Sequence, residues 1–432
     1  MFRFGIFCPP SIGHLNPMCV LGRELQRRGH TVVLFGVPDA LAKVVDLDFT
    51  LWEIGATAYP KESVNRAFKA LGELTGRAGL KFTINFLQRE LQMLFQEAPQ
   101  AIRAAGIDVL IVDQITPAIA TVADYLDLPF VTVCNALLIN REPAVPPNFT
   151  HWAYATSTWA QWRNQAGYAL VSFLTRDLWQ TIVAQRHQWH LPPYQQRDDA
   201  SSPLAQLCQL PQTFDFPRAQ LPAHFHYIGR FQDPSGTEPI AFKTIAFPFE
   251  RLDGRALVYA SLGTLQNQRA EIFACIARAC VDLDVQLVIS LGNPNAPAVE
   301  FPGEPLVVPF APHQQLIERS QVVITHAGMN TVLTALSCGV PLVAIPITNE
   351  QPGIAARLQR TKAGKMVRLR ALNESTLRNA VTEILTQASY RENARRLQQS
   401  MQAAGGVVRA ADIIERVAQT RKPVIASTPT RA

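Results

Sequence analysis

The chain has 432 residues, 48% hydrophobic and 17% charged, so it is a well-packed globular protein too long for one ordinary core, and two domains are expected. The formal charge of +6 is uneven: residues 351–432 carry 15 Lys and Arg against 5 Asp and Glu, leaving residues 1–350 near −4. That bias suits a phosphate ligand or an anionic surface, although a solvated helical surface accounts for any single one of these charges, and it is too weak to support nucleic acid as a partner. No apolar stretch reaches 18 residues, the N-terminus lacks a signal-peptide pattern, and the seven cysteines form no CxxC pair or zinc spacing. Free thiols in a reducing cytoplasm and no metal are therefore expected.

In chain order, "FRFGIFC" is a short apolar strand, "PPSIGHLNP" a turn-rich loop and "PMCVLGRELQRRGH" a helix. Asn16 is placed to cap that helix and Pro17 to open it, with Gly29 at its C-terminal end. "TVVLFGV" follows as a second strand, which completes a βαβ unit and implies a parallel sheet covered by helices. The pattern repeats in "IDVLIVDQI", "TPAIATVADYLDL" and "PFVTVCNAL". Residues 140–225 break it with Pro pairs and five of the six tryptophans, Trp152, Trp159, Trp162, Trp179 and Trp189. "YALVSFLTRDLWQTIVAQRHQWH" suits one or two amphipathic helices there. The Pro/Gly/Ser-containing stretch 229–250 is expected as an interdomain linker. A second α/β run starts at "ALVYASLGT", continues through "VQLVISLG" and "PLVVPFAP", and ends in helices from "NESTLRNAVTEIL" onward. The expected division is 1–228, a linker 229–250, 251–408, and a C-terminal helix and tail, 409–432, packing back on the first domain.

Within the second run, "VVITHAGMNTVLTAL" places His, Gly, Asn and Thr at a strand-to-helix turn. Open parallel sheets bind ligands at such turns. A helix N-terminus offers free N–H groups and about half a positive charge, which suits a phosphate. Gly328 allows close approach to the backbone, while Asn330, Thr331 and His326 add donors. An Asn/Thr helix cap beside a satisfied histidine accounts for the stretch equally well.

The longer segment "FAPHQQLIERSQVVITHAGMNTVLTALSCGVPLVAIPITNEQPG" (310–353) resembles the signature box of the family 1 nucleotide-sugar glycosyltransferases, whose GT-B fold has two Rossmann-like parallel-sheet domains facing across a cleft. "VYASLGT" and "GHLNP" resemble the family's phosphate loop and first helix, so the likeness spans nearly the whole chain and is weakest at 140–250. The resemblance implies that Phe310 stacks on the base with His313 beside it. His326, Asn330, Thr331 and Thr264 would hold the diphosphate, and Glu350 and Gln351 the donor sugar. Thr334 stands where the family usually has a Glu that binds both ribose hydroxyls, which leaves UDP-sugar and dTDP-sugar both open as the co-substrate. The family has no further cofactor.

His14, after the first strand, and Asp113, ending "DVLIVD", sit on turns that reach one cleft. Alone, each suits a helix terminus as well as catalysis. The resemblance implies that His14 is the general base and Asp113 orients it, in an inverting transfer. A neutral imidazole held by a carboxylate is the chemistry an alcohol acceptor needs. The acceptor region is expected at 60–90 and 140–195, where the tryptophans suit either a large apolar groove or the core of a helical insert. Bacterial zeaxanthin glucosyltransferases and macrolide-type transferases are the subgroups most resembled, which implies a lipophilic hydroxylated acceptor such as a carotenoid, terpenoid or polyketide. The basic C-terminal helices and an amphipathic N-domain segment suit peripheral contact with a membrane. Rival readings are a nucleotide-sugar epimerase, disfavoured because it needs sugar-facing carboxylates, and a silent sugar-nucleotide binder, disfavoured because base and phosphate seat are both present. A dinucleotide oxidoreductase is disfavoured because no GxGxxG follows the first strand.

Overall fold

The computed structural model describes residues 1–44, 47–74, 76–233 and 247–426. Two wholly parallel sheets form its frame. The first contains β1 (Arg3–Phe7), β2 (Thr31–Gly36), β3 (Thr50–Glu53), β4 (Val109–Asp113), β5 (Phe130–Cys134), β6 (Gln206–Cys208) and β7 (Phe225–Tyr227). Their spatial order is β3-β2-β1-β4-β5-β6-β7. The second contains β8 (Ala256–Ser261), β9 (Val285–Ser290), β10 (Leu306–Val308), β11 (Val322–Thr325), β12 (Leu342–Ala344) and β13 (Gly364–Met366), in the order β10-β9-β8-β11-β12-β13. The central strands are apolar through their middles because helices cover both faces, and polar residues such as Asp113, Ser261 and Thr325 come at their carboxyl ends. Ile6, Leu110, Ile111, Val258 and Ile324 are all fully buried, each such side chain contributing about 1.5–3 kcal/mol relative to exposure.

Chain order reverses between β1 and β4 in one sheet and between β8 and β11 in the other. Such switch points open a crevice at the carboxyl ends of the strands. Phe7 pairs with Val112, and Thr325 with Ser261, so the loops leaving each pair emerge side by side.

The first helix begins at Ile12, with Ser11 as the residue before it, and not at Pro17 as the sequence suggests. Asn16 is therefore inside the helix, and Ser11 holds the cap position. Pro17 has no N–H and leaves the Gly13 carbonyl without its helical donor. Asn330 Nδ2, from the other domain, donates to that oxygen at 3.0 Å.

The segment 140–225 holds two helices, as its sequence suits, Thr158–Leu174 and Arg176–Gln188, parted at Thr175; the short strands β6 and β7 toward its end are the departure from expectation. A 30-residue helix, Gly76–Ala105, is a second feature the sequence reading lacks. Of the tryptophans, Trp179 lines a cavity, Trp189 stacks on Tyr125 at 4.3 Å, and Trp159 and Trp162 are exposed. Trp179 fits the expected apolar groove and Trp189 packs against the core, while Trp159 and Trp162 fit neither. Most of the stretch expected as a linker, residues 234–246, lies outside the described residues, as does the tail from 427 onward.

Several contacts join the two halves. The helix Gly406–Thr420 packs Val407, Ile414 and Val417 into the first domain's core. Arg28 donates to Asp412 and Glu415 at 2.7 Å. Gly353 lies so close to the Asn148 carbonyl that a Cβ would overlap it.

Candidate active site

The two switch points face one another across a cleft of about 580 Å³. Of the residues singled out in the sequence, His14, Thr264, Phe310, His313, His326, Gly328, Asn330, Thr331, Thr334, Glu350 and Gln351 all line it. Asp113 does not; it is fully buried behind His14.

His14 sits in the first turn of the helix Ile12–Arg27, and its Nδ1 lies 2.7 Å from Asp113 Oδ2. Asn135 Nδ2 donates to the same Asp113 oxygen at 2.6 Å, and the Ile115 N–H donates to Oδ1 at 3.0 Å. Asn135 in turn accepts from Gln209 Nε2 at 2.6 Å, and Gln209 accepts from the Phe231 N–H at 3.0 Å. Asp113 is thus held by three donors, which fixes the ring it orients. Burial pushes the His14 pKa down, but the charge and hydrogen bond of Asp113 outweigh it, with Glu350 and Glu90 adding, and the net shift is upward.

On the opposite wall, Gly328 precedes the nine-residue helix Met329–Ser337. The turn into it runs through Ala327 at φ +65°, a left-handed conformation uncommon for a residue with a Cβ. The His326 ring fills the space that Cβ atoms would occupy at both Gly328 and Gly263, 2.5 and 2.7 Å away at the nearest ring atoms. These glycines seat the imidazole; close approach of a ligand to Gly328 is a separate matter. Burial lowers the His326 pKa to about 4, so the ring is neutral at pH 7. Burial, then the charge of Arg230, does the same to His313 and takes it to about 3. His313 Nδ1 lies 3.1 Å from the Tyr259 hydroxyl. We expect Gly328→Ala to expel the His326 ring and weaken nucleotide binding by about tenfold, the equivalent of one good hydrogen bond, with little loss of folding cooperativity. Unchanged affinity by calorimetry would mean that His326 does not touch the ligand.

Some groups are less free than their residue types suggest. Thr334 Oγ1 donates to the Asn330 carbonyl at 2.8 Å. Gln351 Oε1 accepts from the N–H groups of Ile347 and Thr348 at 2.8 and 2.9 Å, so its Nε2 is the end left for a ligand. Among the described residues, no group of three or more His, Cys, Asp or Glu is gathered as for a metal ion.

A second cavity, about 260 Å³, opens beside His14 in the first domain and shares Leu87, Ile115, Ile139, Asn148 and Phe149 with the cleft. Its wall is mainly apolar, with Leu91, Leu94, Leu138, Trp179 and Ile182. Polar side chains interrupt it, among them Glu90, Gln114 and Thr116, with Arg141, Arg197, Asp198 and Arg218 also on the lining. Gln114 Oε1 and Thr116 Oγ1 are buried without a hydrogen-bond partner, although Thr116 occupies the cap position of the helix Pro117–Leu126. Burial first, then the Asp113 charge, pushes the Glu90 carboxyl up to about 7 against the opposing pull of His14.

Glu90, Asn135 and Gln209 were missed in the sequence. Asn135 follows the buried strand β5, where a polar residue at a strand's carboxyl end is a signal. Glu90 gave none, since a charge on a helix is usually a solvated face. Because Glu90 helps hold the proton on His14, Glu90→Gln should move the acidic limb of the kcat/KM–pH profile to lower pH. An unmoved limb would mean that the carboxyl does not sense the His14–Asp113 pair.

The site thus sets a histidine–carboxylate pair opposite a helix N-terminus across a cleft between two parallel-sheet domains. The chain belongs to the UDP-glucoronosyl and UDP-glucosyl transferase family, whose model matches residues 8–403. It is 33% identical over 432 residues to a zeaxanthin glucosyltransferase of Pantoea ananas, covering 99% of both chains. The solved glycotransferase of kitacinnamycin superposes with a TM-score of 0.73 at 21% identity, over 96% of this chain and 98% of that one. The spinosyn rhamnosyltransferase SpnG, solved with thymidine diphosphate, gives a TM-score of 0.67 at 18% identity, over 96% of this chain and 100% of that one. These two structures share the fold. No described helix is long and apolar enough to cross a membrane.

Proposed function

We propose that the protein transfers a hexose from a UDP-sugar or dTDP-sugar to a hydroxyl of a lipophilic small molecule, such as a carotenoid, terpenoid or polyketide, with inversion at the anomeric carbon. The observation that carries this is the His14–Asp113 pair, 2.7 Å apart, on the wall of the cleft facing the N-terminus of the helix Met329–Ser337. With Nδ1–H donated to Asp113, Nε2 is the free base. Nε2 removes the acceptor's proton as its oxygen attacks the anomeric carbon, and the C–O bond to the nucleoside diphosphate breaks on the opposite face. The charge left on the diphosphate is met by the free N–H groups at 329–331 and by the neutral imidazole of His326. These groups take the part a metal ion plays elsewhere, and the reading needs no cofactor.

On this reading Phe310 would stack on the base with His313 beside it, and Glu350 with Gln351 Nε2 would bond the sugar hydroxyls; all four line the cleft. The apolar cavity beside His14 supports a lipophilic acceptor, and the unpartnered oxygens of Gln114 and Thr116 support one bearing hydroxyls. The zeaxanthin glucosyltransferase relative supports an acceptor of the carotenoid kind. The thymidine diphosphate held by the spinosyn transferase and the family's UDP-sugars keep both donors in view. An acceptor of this kind resides in lipid, so peripheral contact of a cytoplasmic enzyme with a membrane belongs to the reading.

Calorimetric titration with UDP, dTDP, GDP and ADP tests the donor site. Tight binding of UDP or dTDP, well above the purines, is expected, and Thr334→Glu should raise UDP affinity relative to dTDP by supplying the ribose contact. Absence of binding by all four would overturn the reading. An unchanged UDP/dTDP ratio in the variant would mean that position 334 does not reach the ribose.

A further inference from the structure

The helix Thr158–Leu174 is apolar on two opposite faces. One face is packed: Ala160, Asn164 and Gly167 are buried, and Tyr168 and Val171 line the cavity beside His14. The other presents Trp159, Trp162, Leu170 and Phe173 to the outside at 76%, 70%, 54% and 64% exposure. Positions 159, 162, 166, 170 and 173 follow the helical period and form one stripe, with Ala166 between the bulky residues. These side chains expose on the order of 500 Å² of apolar surface, the size at which a patch marks an interaction site. A helix apolar on both faces is ordinarily buried on both.

Charge selects the occupant. The helix has no acidic residue, and its own base, Arg163, sits 4.7 Å from the Trp152 ring centroid. Arg176, which opens the next helix 5.4 Å from the Phe173 ring centroid, is paired with the exposed Asp177 at 3.2 Å. A second copy of the same face would bring a second Arg163 with no carboxylate of the helix itself to pair it. An anionic bilayer surface offers acyl chains to the stripe and phosphates to its margins, and tryptophan favours that boundary.

We propose that this helix lies flat on an anionic membrane, with Trp159, Trp162, Leu170 and Phe173 at the headgroup–acyl boundary. The helix and its successor, Arg176–Gln188, also supply Val171, Leu178, Trp179 and Ile182 to the cavity wall, so docking places that wall against the bilayer. A lipophilic alcohol then reaches His14 from the lipid phase. This last consequence rests on the transfer reading; the docking does not.

The test is co-sedimentation of the full chain with vesicles of phosphatidylcholine containing phosphatidylglycerol, and with phosphatidylcholine alone, without donor or acceptor. Binding is expected to the anionic vesicles with a blue shift of tryptophan emission. The triple variant Trp159→Ser, Trp162→Ser, Phe173→Ser should lose partitioning by on the order of tenfold or more, and Arg163→Glu should weaken it separately. All the replaced side chains but Arg163 are largely exposed, and a thermal melt checks that the triple variant remains folded. No partitioning by the wild type, or equal partitioning by a folded triple variant, would overturn the proposal. So would self-association in sedimentation velocity that the triple variant abolishes without any vesicle binding. Failure of sugar transfer with vesicle binding intact would overturn the transfer reading and leave the docking standing.

Discussion

His14→Ala is expected to lower kcat by about 10²- to 10⁴-fold, the range of general-base catalysis, while nucleotide affinity stays near wild type. The variant should fold, because Asp113 keeps the Asn135 amide and the Ile115 N–H as donors. Asp113→Ala should cost a similar factor by freeing the ring to take the wrong tautomer and orientation. The two losses should not multiply in the double variant, since both remove one functional unit. Steady-state kinetics beside calorimetry separates the possibilities. A His14→Ala enzyme that turns over normally but binds the nucleotide poorly would move His14 from the acceptor's proton to the donor site.

Asp215→Ala should cost about 3–5 kcal/mol of stability, the range for breaking a buried ion pair. Asp215 is buried in the segment between β6 and β7 and accepts from Arg357 Nε at 2.7 Å, Arg218 Nε at 3.0 Å and the Tyr227 hydroxyl at 2.8 Å. Arg357 is almost fully buried and lies on the helix Gln351–Arg360 of the second domain, its guanidinium 4.2 Å from the Phe216 ring centroid. Removing the carboxylate strands two guanidinium groups and loosens the helix that begins beside Glu350. Burial would raise the Asp215 pKa, but the charges of Arg357 and Arg218 and the Tyr227 hydrogen bond outweigh it and hold it at about 2. A folded-state pKa below the unfolded value of about 3.9 means the stabilisation is complete above that value and is lost as pH falls toward 2. The gap between wild type and Asp215→Asn, which keeps the volume but not the charge, should therefore be widest near neutrality and close below about pH 4. A gap independent of pH would assign the loss to packing.

The second domain was the more legible of the two. Its strands are continuous apolar runs, and the box from Phe310 to Gly353 combines turn, helix-start and polar signals at fixed spacing. In the first domain, strand-end position only allowed His14 and Asp113 as candidates, and it was the resemblance carried by the box that singled them out. Other features escaped for physical reasons. β6 and β7 have three described residues each, too few for a period to show. The start of the first helix was misplaced because proline is favoured at the first helical position, and here it sits inside, its lost hydrogen bond offset by Asn330 from the other domain. Asp215 and Arg357 are 142 positions apart, and nothing local links them. The exposed stripe of Trp159 and Trp162 was hidden because an apolar residue on a helix defaults to the core, and only the fold shows which face is already occupied.

The most direct test of inverting transfer is the anomeric configuration of the product. The protein would be incubated with α-linked UDP-glucose or dTDP-glucose and a lipophilic alcohol, and the glycoside examined by the proton coupling of its anomeric carbon. A β-glycoside formed by the wild type and lost in His14→Ala is the expected result. An α-glycoside, or hydrolysis of the donor with no glycoside at all, would contradict a direct displacement driven by the His14–Asp113 pair.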